Sequence, residues 1–111
     1  MMFNFTYEKM LLFLVICCSC SKHDPTSTVI KCDPAISYSQ QVHAIFVAAC
    51  TAAGCHDGGN LPSLGDYLTA RDAAKQIRDA VYRDIMPRYS TLSAIDKAAI
   101  ICWIDNGAKN N

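Results

Sequence analysis

The sequence has no excess of charge of either sign. Across 111 residues, 10 Lys and Arg face 10 Asp and Glu, for a formal net charge of +0 and a pI near 6.8. Without a basic field there is little to hold a phosphate backbone, so nucleic-acid binding is excluded as the main business. The chain also lacks an apolar run of the roughly 20 residues that a membrane-spanning helix needs. No stretch alternates apolar and polar residues like a half-buried strand, and no segment repeats. Nor does a nucleophile–histidine–acid arrangement or an acid/base pair mark a catalytic centre. At 12.2 kDa there is room for one small domain. What the chain has in plenty is cysteine, 7 in all. So many thiols point to export into an oxidising compartment, or to sulfurs that are chemically occupied.

The first residues account for part of that number. Lys9 ends a short polar leader, and Met10-Leu11-Leu12-Phe13-Leu14-Val15-Ile16-Cys17-Cys18 follows as an apolar run too short to span a bilayer. It fits the h-region of an export signal. Ser19-Cys20-Ser21-Lys22 then sets a small residue before a cysteine and polar chain after it. This resembles the lipobox of bacterial lipoproteins, which implies a signal peptide over 1–19 and lipidation of Cys20. Cys17 and Cys18 are poorer alternatives, because Ile16 and Cys17 suit the preceding position less well; a plain signal peptide cut nearby is another. Cleavage before Cys20 leaves Met86 as the only methionine. Residues 20–35, rich in Ser, Thr, Asp, Lys and Pro, read as a lipidated tether. The domain proper then covers 36–111. So small a core usually leans on a disulfide, a metal or a cofactor.

Three helices are expected in it. Over 39–49, Val42, Ile45, Phe46 and Ala49 recur at i, i+3, i+4 and i+7, with Ser37 and Gln40 as a candidate capping box. Over 69–83, Ala70, Ala73, Ala74, Ile77, Ala80 and Val81 form one stripe, with Lys75–Asp79 and Asp79–Arg83 as ion pairs on the wet side. The third opens on Ser93 as N-cap with Asp96 in its first turn, and stops at Asn106-Gly107. Its apolar arc, including Ala99, Ile100, Ile101, Cys102 and Trp103, is broad enough to be covered on more than one side.

The chemistry sits where the first helix ends, at Cys50-Thr51-Ala52-Ala53-Gly54-Cys55-His56. Two cysteines with a histidine directly after the second are what covalent haem attachment needs. The thiols add to the two vinyl groups of the porphyrin, and the next residue brings imidazole to the iron. The usual spacing is C-x-x-C-H; here four residues separate the cysteines, and two of them must loop out. With Ile85-Met86-Pro87, Leu92-Ser93 and Trp103-Ile104-Asp105-Asn106-Gly107-Ala108 downstream, the chain resembles small class I-like c-type cytochromes of bacterial lipoproteins, including a subgroup with a C-x4-C-H motif. The resemblance covers roughly 37–111. It implies an all-α domain around one covalent haem c, with Cys50 and Cys55 as attachment points and His56 and Met86 as axial iron ligands.

Other assignments stay open on the residues alone. Cys50 and Cys55 pair as a disulfide in one, and in another they bind zinc with His56 and His43, although adjacent ligands rarely share a tetrahedral ion. His43 competes with Met86 for the iron, and a methionine often does no more than fill a gap in a core. If haem occupies Cys50 and Cys55 and lipid occupies Cys20, then Cys32 and Cys102 remain; they either pair with each other or stay as separate buried thiols. Leu61, Leu64, Tyr67, Ile77, Ile85 and Trp103 are the candidate haem wall, or ordinary core. The functional expectation is a single-electron carrier, lipid-anchored in the bacterial envelope and served by redox protein partners there. Its alternatives are a haem enzyme or sensor, and a haem-free, disulfide-stapled interaction module.

Overall fold

A computed structural model describes residues 30–59 and 61–111. Cys17, Cys18, Cys20, His23 and the whole leader lie outside the described residues. Within them all regular structure is helical, as expected for an all-α fold. A π-helical turn, Tyr38–Val42, runs directly into α1, His43–Cys50; α2 is Tyr67–Asp72, α3 is Ala74–Tyr82 and α4 is Ala94–Asp105. No described helix is long and apolar enough to cross a membrane.

The first helix begins with a reciprocal cap, but not through the expected partner. Ser37 Oγ accepts from the Gln40 N–H at 3.3 Å, while the Ser37 N–H donates to Gln41 Oε1 at 3.0 Å. The wide turn explains the shift from Gln40 to Gln41. Its hydrogen bonds reach one residue further than in an α-helix, which brings the next side chain back over the cap.

The helix expected over 69–83 is two helices. Asp66 caps α2, its carboxylate accepting from the Thr69 N–H at 3.1 Å and the Thr69 hydroxyl at 3.0 Å. Those bonds hold its carboxyl below the usual carboxylate range. Ala73, at φ −92° and ψ 6°, closes α2 and opens α3. This near-helical joint carries no Pro or Gly and keeps the apolar stripe in phase, so periodicity alone runs straight through it.

The third helix forms where expected. Ser93 Oγ accepts from the Asp96 N–H at 3.0 Å. At the other end Gly107 takes φ +101°, a conformation that costs glycine little. Ala108 N–H then reaches the Trp103 carbonyl at 2.8 Å and Gly107 N–H reaches that of Ile104 at 2.9 Å, the two bonds of a Schellman stop.

α4 packs against both the first helix and α3, which is why Ala99, Ile100, Ile101, Cys102 and Trp103 are all buried. Trp103 is the centre. Its ring meets Tyr38 at 5.2 Å, Phe46 at 6.0 Å and Tyr67 at 6.5 Å between centroids, and its Nε1–H donates to the Lys109 carbonyl at 2.8 Å. The Arg78–Asp105 and Lys97–Asp84 ion pairs tie α3 and the chain after it to α4. Of the two pairs expected on α3, Asp79–Arg83 forms, at 3.3 Å.

The segment before the helices is fastened to α4. A disulfide joins Cys32 to Cys102, with Cα atoms 5.1 Å apart, and Asn106 Nδ2 donates to the Asp33 carbonyl at 3.0 Å. The cross-link spans a sequence separation of 70. Constraining the unfolded chain over such a loop contributes about 4 kcal/mol in the chain-entropy model. Cys32→Ser, which leaves the buried Cys102 thiol in place, should therefore lower the denaturant midpoint by a large fraction of its value. A midpoint equal to wild type would show that the bond adds nothing.

Candidate functional site

α1 ends at Cys50, and the chain at once folds back on it. Thr51 Oγ1 donates to the Val47 carbonyl at 2.8 Å, satisfying one of the open carbonyls of the helix end. Cys55 N–H bonds the Ala52 carbonyl at 2.8 Å, and His56 N–H bonds the Cys50 carbonyl at 2.9 Å. The extra residues between the cysteines are thus taken up in a tight loop that returns His56 to the end of the helix. Gly54 sits at φ +79° within it, where a side chain would be strained. Exposed Asp57 braces the next turn, accepting from the Gly59 N–H at 3.0 Å and the Gly54 N–H at 3.1 Å. These two bonds pull its carboxyl below the usual range.

His56 is oriented by the glycine-rich segment that follows. Its Nδ1 lies 3.1 Å from the Pro62 carbonyl, and its own carbonyl accepts from the Leu64 N–H at 3.2 Å. A carbonyl only accepts, so Nδ1 carries the hydrogen and, in the neutral ring, Nε2 keeps its lone pair. An imidazole held this way is a ready metal ligand with its tautomer fixed by the surrounding chain.

The strap after α3 completes the site. Asp84 turns it in the left-handed region at φ +55°, and Lys97 Nζ pins the Asp84 carboxylate from α4 at 2.8 Å. The N–H groups of Ile85 and Met86 both point back to the Ala80 carbonyl, at 2.9 and 3.3 Å. The Met86–Pro87 peptide is cis.

These pieces enclose a cavity of about 350 Å³, within the size range of small-molecule and cofactor sites. Cys50, Cys55, His56 and Met86 all line it. Cys50 and Cys55 are free thiols, and burial followed by the neighbouring Cys55 pushes the Cys50 thiol up, so it stays protonated at neutral pH. The rest of the lining is mostly apolar, with Arg88 its one permanently charged side chain. Comparison with known proteins finds no matching family model, no matching curated protein and no matching solved structure.

Of the candidate wall residues, Leu61, Leu64 and Ile77 face the cavity. Tyr67 and Trp103 do not; they belong to the core one layer behind, where Tyr67 Oη donates to the Ala108 carbonyl at 3.0 Å. Ile85 is 47% exposed and lines nothing. The sequence-based list omits Phe46, Ala49, Ala73, Ala80 and Val81, which complete the wall. A usable signal was present: alanines at 49, 73 and 80 on inward stripes leave room where larger residues would close a core.

His43 is not in the cavity. Its Nε2 lies 3.1 Å from the Gly65 carbonyl and its ring packs on Tyr38, so it ties α1 to the chain ahead of α2. Among the described residues, no three His, Cys, Asp or Glu side chains gather to hold a metal ion. A zinc centre built from Cys50, Cys55, His56 and His43 is therefore not assembled.

Proposed function

We propose that the cavity holds one covalent haem c and that the chain is a single-electron carrier. Cys50 and Cys55 would hold it covalently, and His56 and Met86 would offer imidazole and thioether to its iron. The two thiols would hold the group through thioether bonds, an addition that needs no oxidant. Haem supplies the one-electron couple; the protein supplies ligands, a water-poor pocket and an edge at which partners exchange electrons.

The observation that carries this proposal is the meeting, on one apolar cavity, of two free thiols, a tautomer-fixed imidazole and a thioether. Imidazole with thioether is a donor pair suited to iron, and the neutral sulfur favours the ferrous state. The described lining contains no Asp or Glu to act as general acid or base, which favours a carrier over a peroxidase-like enzyme. Full chain made with cytochrome c maturation machinery should titrate reversibly as a single one-electron couple in the visible spectrum. A chain with no redox-active absorbance, or one turning over peroxide efficiently, contradicts the carrier.

We further propose that the carrier is lipid-anchored through Cys20 in the bacterial envelope, where its redox partners lie. A single acyl chain binds membranes only weakly, so a stable anchor needs more than one. Cys20→Ala should move the protein from the membrane to the soluble fraction with its visible spectrum unchanged. Continued membrane association would assign the anchor to another residue or to a retained leader.

A further inference from the structure

Arg88 stands apart from the other arginines in the described chain. Arg71 pairs with Asp72 at 2.8 Å, Arg78 with Asp105 at 2.6 Å and Arg83 with Asp79 at 3.3 Å. Arg88 makes no such pair among the described residues, yet it lines the cavity two positions beyond Met86 on the same strap. Being exposed, it forms part of the rim, with its guanidinium in reach of water. Behind it the wall is built from Phe46, Leu64, Ile77 and Val81.

An apolar cavity with one unpaired cation at its rim suits an amphiphile: an apolar body with an acid at one end. A guanidinium is the side chain best shaped for that acid, since its planar fork meets both carboxylate oxygens at once. Haem has this form, a large apolar ring carrying two propionates on one side. We propose that Arg88 is the carboxylate anchor of the cavity and pairs with a haem propionate. This rests on the haem proposal above. The same carboxylate chemistry would also serve a fatty acid, so the test separates the two.

An adjacent cation favours the ionised carboxylate and holds its titration at lower pH. Propionate ionisation adds negative charge near the iron, so the midpoint potential falls as pH rises through that titration. The experiment compares potential against pH for haem-loaded full-length wild type, Arg88→Gln and Arg88→Lys. Arg88→Gln should move the inflection to higher pH by about one unit, and Arg88→Lys should fall between, keeping charge without the fork. A merely structural Arg88 would change the melting temperature and leave the inflection in place; an unmoved inflection in Arg88→Gln overturns the anchor while the haem proposal stands. If the full chain carries no haem, the haem proposal fails, and titration with laurate decides the source. Laurate binding that is lost in Arg88→Gln keeps the anchor and assigns it to a fatty acid. Laurate bound equally by both proteins, or by neither, overturns it.

Discussion

A chain carrying Cys50→Ala and Cys55→Ala should emerge haem-free and largely unfolded. The reason is the size of the cavity relative to the domain around it. Left without haem, Phe46, Leu64, Ile77 and Val81 would face about 350 Å³ with no apolar partner. At about 24 cal/mol per Å³, a sealed void of that volume costs about 8 kcal/mol, an upper bound for a cavity open to water. That is comparable to the whole stability of a domain this small, about 0.1 kcal/mol per residue. The Cys32–Cys102 disulfide does not line the cavity and cannot replace the missing contacts. Far-ultraviolet circular dichroism should show most of the helix signal lost, with no cooperative melt. A variant that melts cooperatively at the wild-type temperature would mean that nothing large and apolar completes this fold.

Met86→Ala should open the proposed haem site to external ligands. Met86 is held at the cavity by a strap that Asp84 turns and Lys97 pins, so the thioether is presented by a fixed backbone and not by a wandering loop. Its removal should let water reach the iron, lower the potential by on the order of 100 mV and allow the ferrous protein to bind carbon monoxide. Met86→His should remain six-coordinate and also drop in potential. In ferric wild type, a near-infrared sulfur-to-iron band should be present near neutral pH and vanish in both variants. If wild type lacks that band, or its ferrous form binds carbon monoxide readily, Met86 is not a ligand and the sensor or enzyme alternative gains. His43 offers no ready substitute, because it does not line the cavity and its ring is committed to the Gly65 carbonyl.

Much of this geometry is legible in the sequence, for physical reasons that also mark where legibility ends. α4 announces both its ends, since Ser93 and Asn106-Gly107 act through local backbone chemistry and need no tertiary partner. The joint at Ala73 is silent because a backbone only slightly off helical leaves the stripe intact. Gln41 replaces Gln40 at the first cap because the turn there is π-helical, and no residue type signals that. The cysteine count leads to Cys32–Cys102 only after the other thiols are given roles. Cys50, Cys55, His56 and Met86 all line one cavity, while the wall behind them is only half anticipated. Trp103 and Tyr67 look like haem contacts by size and aromaticity. Only packing shows that Phe46 stands between the cavity and Trp103.

The most direct measurement is the intact mass of the wild-type chain, produced with cytochrome c maturation machinery and denatured before analysis. The account predicts the mass of the peptide plus one haem, with a red band that survives denaturing electrophoresis and disappears in the Cys50→Ala, Cys55→Ala variant. A mass equal to the peptide alone, with Cys50 and Cys55 oxidised to each other or left free, would contradict it.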